Sequence, residues 1–152
     1  MRRLRLRDDR GAAAVEFALV SIPLLMLLIG IVTYGQVFLR QNSLTNAARI
    51  GARTAAIEVA ANRSGAIADA QSAAAAATVM PTVAASQVTI SSVYWNGSSY
   101  TAFTPTSCTS PVAGQTIYMK ATITVSSTDL SYSSLLPVPS SLTGTAVMRC
   151  DG

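Results

Sequence analysis

The pattern of apolar and polar positions changes three times along the chain. Between Phe17 and Phe38 lie 22 positions without a charge, interrupted only mildly by Ser21, Thr33 and Gln36. About 20 apolar residues in a helix cross the hydrocarbon core of a bilayer, and Pro23 is tolerated in such a helix. The pattern predicts a transmembrane helix over 12–39. From Gln41 to Ala61 there is no proline and alanine abounds, so the helix should continue as a stalk over 40–62. "NRSGA", Asn62 to Ala66, is the first break. Ser64 is a reasonable N-cap for a second, alanine-rich helix over 64–80, which Pro81 closes. Beyond it, 82–152 is rich in serine and threonine and nearly free of charge. "SQVTISSVYW", "SSYTAF", "GQTIYMKATITVSS" and "GTAVMR" alternate as strands do. Asn96-Gly97 signals a two-residue hairpin turn, and "SSLLPVPSS" a proline-bearing loop. The expected fold class is α+β: a long N-terminal helix, a second short helix and a small antiparallel sheet at the C-terminus.

Charge sharpens this picture. The formal net charge is +4 and the pI about 9.5, but residues 1–10 alone hold Arg2, Arg3, Arg5, Arg7 and Arg10 against Asp8 and Asp9. After Gly11 basic and acidic residues nearly balance, so no basic folded face is available for nucleic acid. The arginine-rich start favours a cytoplasmic N-terminus by the positive-inside rule, with everything after about Arg40 exported. A secretory signal would have a shorter apolar core followed by a small-residue cleavage site. Here "TYGQVFLRQNS" follows, so the run should remain as an anchor in the lipid bilayer.

Glu16 is the unexpected residue, a carboxylate about one turn into the membrane helix. Two readings are open: it snorkels to the headgroups, or it pairs with a cation, as intramembrane ionisable groups usually do. Its surroundings add a second kind of information. Gly11 ends an arginine-rich leader and "AAAVEF" follows; a cut after Gly11 would free the amine of Ala12 and make Glu16 the fifth residue. This resembles the class III signal of type IV pilin-like proteins. More closely, "RGAAAVEFALVSIPLLMLLIGIVTYGQ" and "NAARIGARTAA" (Asn46 to Ala56) resemble the TadE-like family, the pseudopilins of the Tad (Flp) tight-adherence pilus. The resemblance covers about residues 8–60. It implies a leader, 1–11, removed by a prepilin peptidase between Gly11 and Ala12. It also implies that Glu16, with Phe17 beside it, pairs with the N-terminal amine of a neighbouring subunit. Its implied partners are other pilins or pseudopilins and the inner-membrane pilus assembly platform. Its implied location is the bacterial inner membrane, single-pass, with a periplasmic C-terminal domain that either stays there or enters the pilus. Two features depart from the wider pattern. The mature chain would begin with Ala12 where type IV pilins begin with phenylalanine. Glu16-Phe17 and a mature length of about 141 residues differ from the very short major pilin with Glu-Tyr, which points to a minor component. The alternative is a stably anchored, exported binding module with no part in pili.

The remaining candidates are fewer. Cys108 and Cys150, 42 residues apart, could form a disulfide in an oxidising compartment and remain two thiols otherwise. Gly51, Ala52, Ala55 and Ala56 belong to small-residue rows at i, i+4 spacing. Such rows admit a second helix at close range, or simply express alanine's helix propensity. Asn42, Asn46, Arg49 and Arg53 share another face, either solvated or a polar line to a partner. Tyr94, Trp95, Tyr100 and Phe103 read first as core packing, second as a surface patch. No histidine, phosphate-cradling glycine loop or Cys/His cluster occurs, which argues against an enzyme, a metal site or a cofactor.

Overall fold

A computed structural model describes residues 9–109, 113–126 and 137–150. Its elements follow the expected α+β order. Helix α1 runs without interruption over Asp9–Ala60, α2 over Ala66–Ala76, and strands β1 Val88–Trp95, β2 Tyr100–Phe103, β3 Ile117–Ser126 and β4 Ser141–Arg149 complete the chain. Residues 1–8 of the leader lie outside the described residues, as do 127–136 of the β3–β4 connection.

α1 ends for a local reason. Asn62 takes a left-handed conformation, φ +52°, which asparagine tolerates better than most residues. That turn lets the amide of Asn62 donate to the Val59 carbonyl at 3.1 Å and the amide of Arg63 to the Glu58 carbonyl at 3.0 Å. The pair of bonds is the Schellman closure of a helix. An apolar contact usually accompanies it; here Arg63 Nη1 and Glu58 Oε1 form an ion pair at 3.0 Å in that place. The N-cap of α2 is Gly65, at φ +83°, with no side-chain cap. This corrects the expectation of Ser64: the chain must reverse within a few residues, and the left-handed step it needs falls on the glycine. α2 also stops earlier than position 80. The hydroxyl of Thr78 donates to the Ala75 carbonyl at 2.7 Å, and the residues between Ala77 and Pro81 are not helical, since proline disfavours helix in the residue before it.

The sheet is antiparallel with order β2-β1-β3-β4. Alternation decides its faces. Val88 and Ile90 of β1, Met119, Ala121, Ile123 and Val125 of β3 and Leu142 of β4 are sealed against Leu44, Ala47, Ala48 and Ala52 of α1 and Ala70 and Ala74 of α2. The core is thus a sandwich of one sheet face with the second half of α1 and with α2. The hairpin between β1 and β2 is wider than two residues. Trp95 pairs with Tyr100, leaving Asn96–Ser99 as the loop. The side-chain oxygen of Asn96 accepts from the amides of Ser98 (3.0 Å) and Ser99 (2.9 Å), so it organises the larger turn that the Asn-Gly signal alone did not reveal.

The four aromatic residues divide: Tyr94 and Phe103 share the parity of Ser92 on the α1 side, half-buried with ring centroids 6.2 Å apart, whereas Trp95 and Tyr100 are not core packing. Trp95 is 46% exposed and stands edge-on to Tyr100 at 5.1 Å, which in turn meets Tyr118 at 5.5 Å. These three share the parity of Val93 in the register, the sheet face turned away from α1. Val93 lies between them and is only 1% exposed, so they roof a small apolar patch on the outer face.

Candidate functional site

α1 is the functional element, and its two halves have opposite surroundings. In the first, most large apolar side chains from Val15 to Leu39 stand uncovered, Phe17 at 76% exposure, while Thr33 is buried and Val37 packs against the domain. Burying a single side chain of this type is worth about 1.5–3 kcal/mol, so a row of them would not persist in water. The stretch is long and apolar enough to cross a membrane, the one such candidate span among the described residues, consistent with single-pass anchoring. Glu16 is exposed within this stretch and has no ion pair among the described residues. Gly11 and Ala12 are helical and exposed, and a Cβ at Gly11 would meet nothing within 4 Å.

The second half is covered by the chain's own domain. Gly51 marks the closest approach: a Cβ there would stand 2.8 Å from Ala74 Cβ, 3.4 Å from the Ala70 carbonyl and 3.6 Å from Ala121 Cβ. Ala52, Ala55 and Ala56 are buried. The small-residue rows therefore serve α2 and the sheet of the same molecule, and are not open to a second subunit's helix. Gly144 makes the corresponding approach from β4, where an added Cβ would collide with the backbone of Leu44 and lie 2.8 Å from its Cβ. Gln41 Nε2 donates to the Thr143 carbonyl at 2.8 Å beside it. Gly144 was not singled out from the sequence; a glycine inside a strand pattern is the signal that could have found it.

Cys108 and Cys150 are bonded to each other, and Cys108 Sγ lies 3.8 Å from the Ala56 carbonyl oxygen. The loop carrying Cys108 is also fastened to the sheet. The fully buried Ser92 hydroxyl donates to the Ser107 carbonyl at 2.8 Å and accepts from the Ser107 amide at 2.7 Å. The bridge joins the residue after β4 to this strap, at the end of the domain farthest from the apolar half of α1.

What remains open on the stalk is the face of Asn42, Asn46, Arg49 and Arg53, all exposed. Arg49 and Arg53 border a shallow groove with Ile50 and Met148. A larger open groove of about 800 Å³ lies where α1 turns into α2, lined by Asn62, Arg63, Gln71 and Ser107 among others. Gln71 is engaged, donating to the Val88 carbonyl at 2.8 Å. No cluster of three or more potential metal ligands occurs among the described residues.

Residues 11–53 match the model of a family described as TadE-like protein. No curated protein and no solved structure matches the chain. The family match begins at the glycine before the apolar run and ends inside the packed half of α1, so it covers the apolar half, part of the packed half and none of the sheet.

Proposed function

We propose that this chain, which matches the TadE-like family over residues 11–53, is a membrane-anchored pseudopilin: a non-enzymatic structural or assembly subunit of a Tad-type pilus. The observation that carries the reading is the division of α1. Its apolar half is bare and its small-residue half is sealed by its own domain. A subunit built this way presents lipid-facing helix and folded domain as one rigid piece, and its free contact surfaces are the bare half of α1 and the outer faces of the domain.

In this reading residues 1–11 are a leader removed by a prepilin peptidase, and Ala12 becomes the mature N-terminus. Residues 12–39 span the inner membrane, 40–62 form the stalk, and the sheet domain lies on the periplasmic side, where Cys108 and Cys150 are oxidised. Glu16 carries the chemistry of assembly. It stands in the bare half of α1 without an intramolecular ion pair among the described residues, so a cation must come from elsewhere. The α-amino group of a neighbouring pilin or pseudopilin supplies one at the required depth, and Phe17 packs beside the pair. Desolvation by lipid strengthens such a pair relative to water.

The test is the mature N-terminus. Mass spectrometry of protein extracted from membranes of cells with an active prepilin peptidase should find a chain beginning at Ala12. A chain that keeps Met1–Gly11 under those conditions would sink the pseudopilin reading and leave a plain anchored module.

A further inference from the structure

The folded domain has an end that faces the bare half of α1, and among the described residues two large apolar side chains are exposed there. α2 descends along α1 from the turn at Asn62: Ala70 and Ala74 lie at the level of Gly51, and the amide of Val79 donates to Ser43 Oγ at 3.2 Å. β1 then climbs back. The α2–β1 connection therefore lies at the base of the domain, and its Val79 and Met80 are 82% and 66% exposed. Beyond the Val79 amide bond to Ser43, neither side chain is in the core formed by the described residues. The base reaches lower still at the entry to β4, where the Tyr34 hydroxyl donates to the Pro137 carbonyl at 3.0 Å.

The level of this base relative to the bilayer follows from the helix. The uncovered apolar side chains of α1 run from Val15 to Leu39, about 36 Å at 1.5 Å per residue. That exceeds a hydrocarbon core of about 30 Å but fits within the roughly 40–45 Å of core plus headgroup layers. The excess of about 6 Å is about two residues at each end, so Phe38 and Leu39 lie in the headgroup layer. Ser43 stands only about 6 Å farther along the axis from Leu39. Arg40, with no ion pair among the described residues, sits between these levels and offers its guanidinium to a lipid phosphate.

We propose that Val79 and Met80 form a second membrane contact, seated in the headgroup layer of the leaflet on the domain's side and continuous with the apolar face of α1. The proposal rests on α1 spanning the bilayer. One helix leaves a domain free to swivel about the helix axis; a second lipid contact away from that axis fixes its rotation, and with it the direction in which the outer sheet face and the Arg49–Arg53 stripe point.

The chain has a single tryptophan, so a probe can be moved. In a Trp95→Phe background, Met80→Trp and, separately, Met26→Trp in mid-span are made in the full chain. Both positions are exposed, so neither change disturbs the core. Each protein is reconstituted in liposomes whose acyl chains are brominated either near the headgroups or near their ends. The expected result is loss of Met80→Trp emission mainly with the shallow bromolipid and of Met26→Trp emission mainly with the deep one. Quenching at position 26 with none at position 80 from either lipid would overturn the second contact while leaving the span intact. No quenching at position 26 would overturn the span, and the second contact with it.

Discussion

Gly144→Ala is the most direct challenge to the way the domain is mounted on its helix. The added methyl would stand 2.8 Å from Leu44 Cβ and closer still to the Leu44 carbonyl carbon and oxygen. Optimal separation between carbons is about 3.5–4.0 Å, so β4 must withdraw by about 0.7 Å or more. The obstacle is helix backbone, which cannot rotate aside as a side chain could. Leu44, Ala47, Ala48 and Leu142 are sealed in this interface, and a gap of about 0.5–1 Å forfeits a quarter to a half of each dispersion contact. Overpacking typically costs about 1–3 kcal/mol; a collision with backbone puts Gly144→Ala near the top of that range. At about 2–4 °C per kcal/mol for a chain of this size, Tm should fall by roughly 6–12 °C. The assay is thermal unfolding of the purified protein in detergent. Gly35→Ala is the control, because a Cβ there meets nothing within 4 Å and alanine is the better helix former. An ordinary strand glycine gains from alanine, so the expected sign is opposite to the generic one. A Gly144→Ala protein within about 0.5 kcal/mol of the parent, the usual scatter of surface substitutions, would refute the close-approach argument.

Three further outcomes are expected. Replacing Cys108 and Cys150 with serine should cost about 3–4 kcal/mol in the chain-entropy view of a loop this long, read as a lower Tm that matches reduced wild type; an unchanged Tm would mean that the Ser92–Ser107 bonds hold the strap unaided. Asn62→Val should destabilise by about 1–2 kcal/mol because a β-branched residue resists the left-handed conformation, whereas Asn62→Gly should hold or gain stability; equal unfolding midpoints for the two would dismiss the Schellman closure as the cause. Glu16→Ala and Glu16→Gln should leave membrane extraction and leader removal unchanged but reduce co-purification with partner pilins and pilus formation. Wild-type behaviour of Glu16→Ala in those assembly assays would make the carboxylate a snorkelling passenger.

What could be read from the chain alone follows physical lines. The span was legible because 22 uncharged positions leave few alternatives, and the family match over residues 11–53 agrees with the resemblance carried by the "AAAVEF" and "NAARIGAR" segments. The strands were legible because serine, threonine and β-branched residues alternate; their order β2-β1-β3-β4 was not, since register depends on partners distant in sequence. The small-residue row at Gly51 declared close packing but not its occupant. Alanine offers no side-chain chemistry to distinguish a second subunit from α2 of the same chain. The Asn96 loop was misjudged because the preference for an Asn-Gly turn ignores the two serines that follow. Trp95 and Tyr100 were misplaced because aromatic size suggests burial, whereas strand parity puts them on the face away from α1. For Glu16, sequence supplies the position in the helix and the charge, and among the described residues the folded chain shows no ion pair to it.

The unbroken run of α1 from Asp9 to Ala60 also has a mechanical meaning. Under the proposed anchoring, with the helix leaving the bilayer near Arg40, the part that ends at Ala60 extends about 30 Å beyond it. Membrane helices tilt by about 20° on average, and a tilt of that size swings the far end sideways by about 10 Å. The domain is bolted to this arm at Leu44, Gly51 and Ala56, so it must swing as well. Pro23 is the one position inside α1 that lacks an amide to donate, and it lies below the hydrogen bond from Tyr34 to Pro137. In that anchored arrangement, bending there would convert a push on the N-terminal end of α1 into a sweep of the whole head, a lever whose fulcrum is in the lipid.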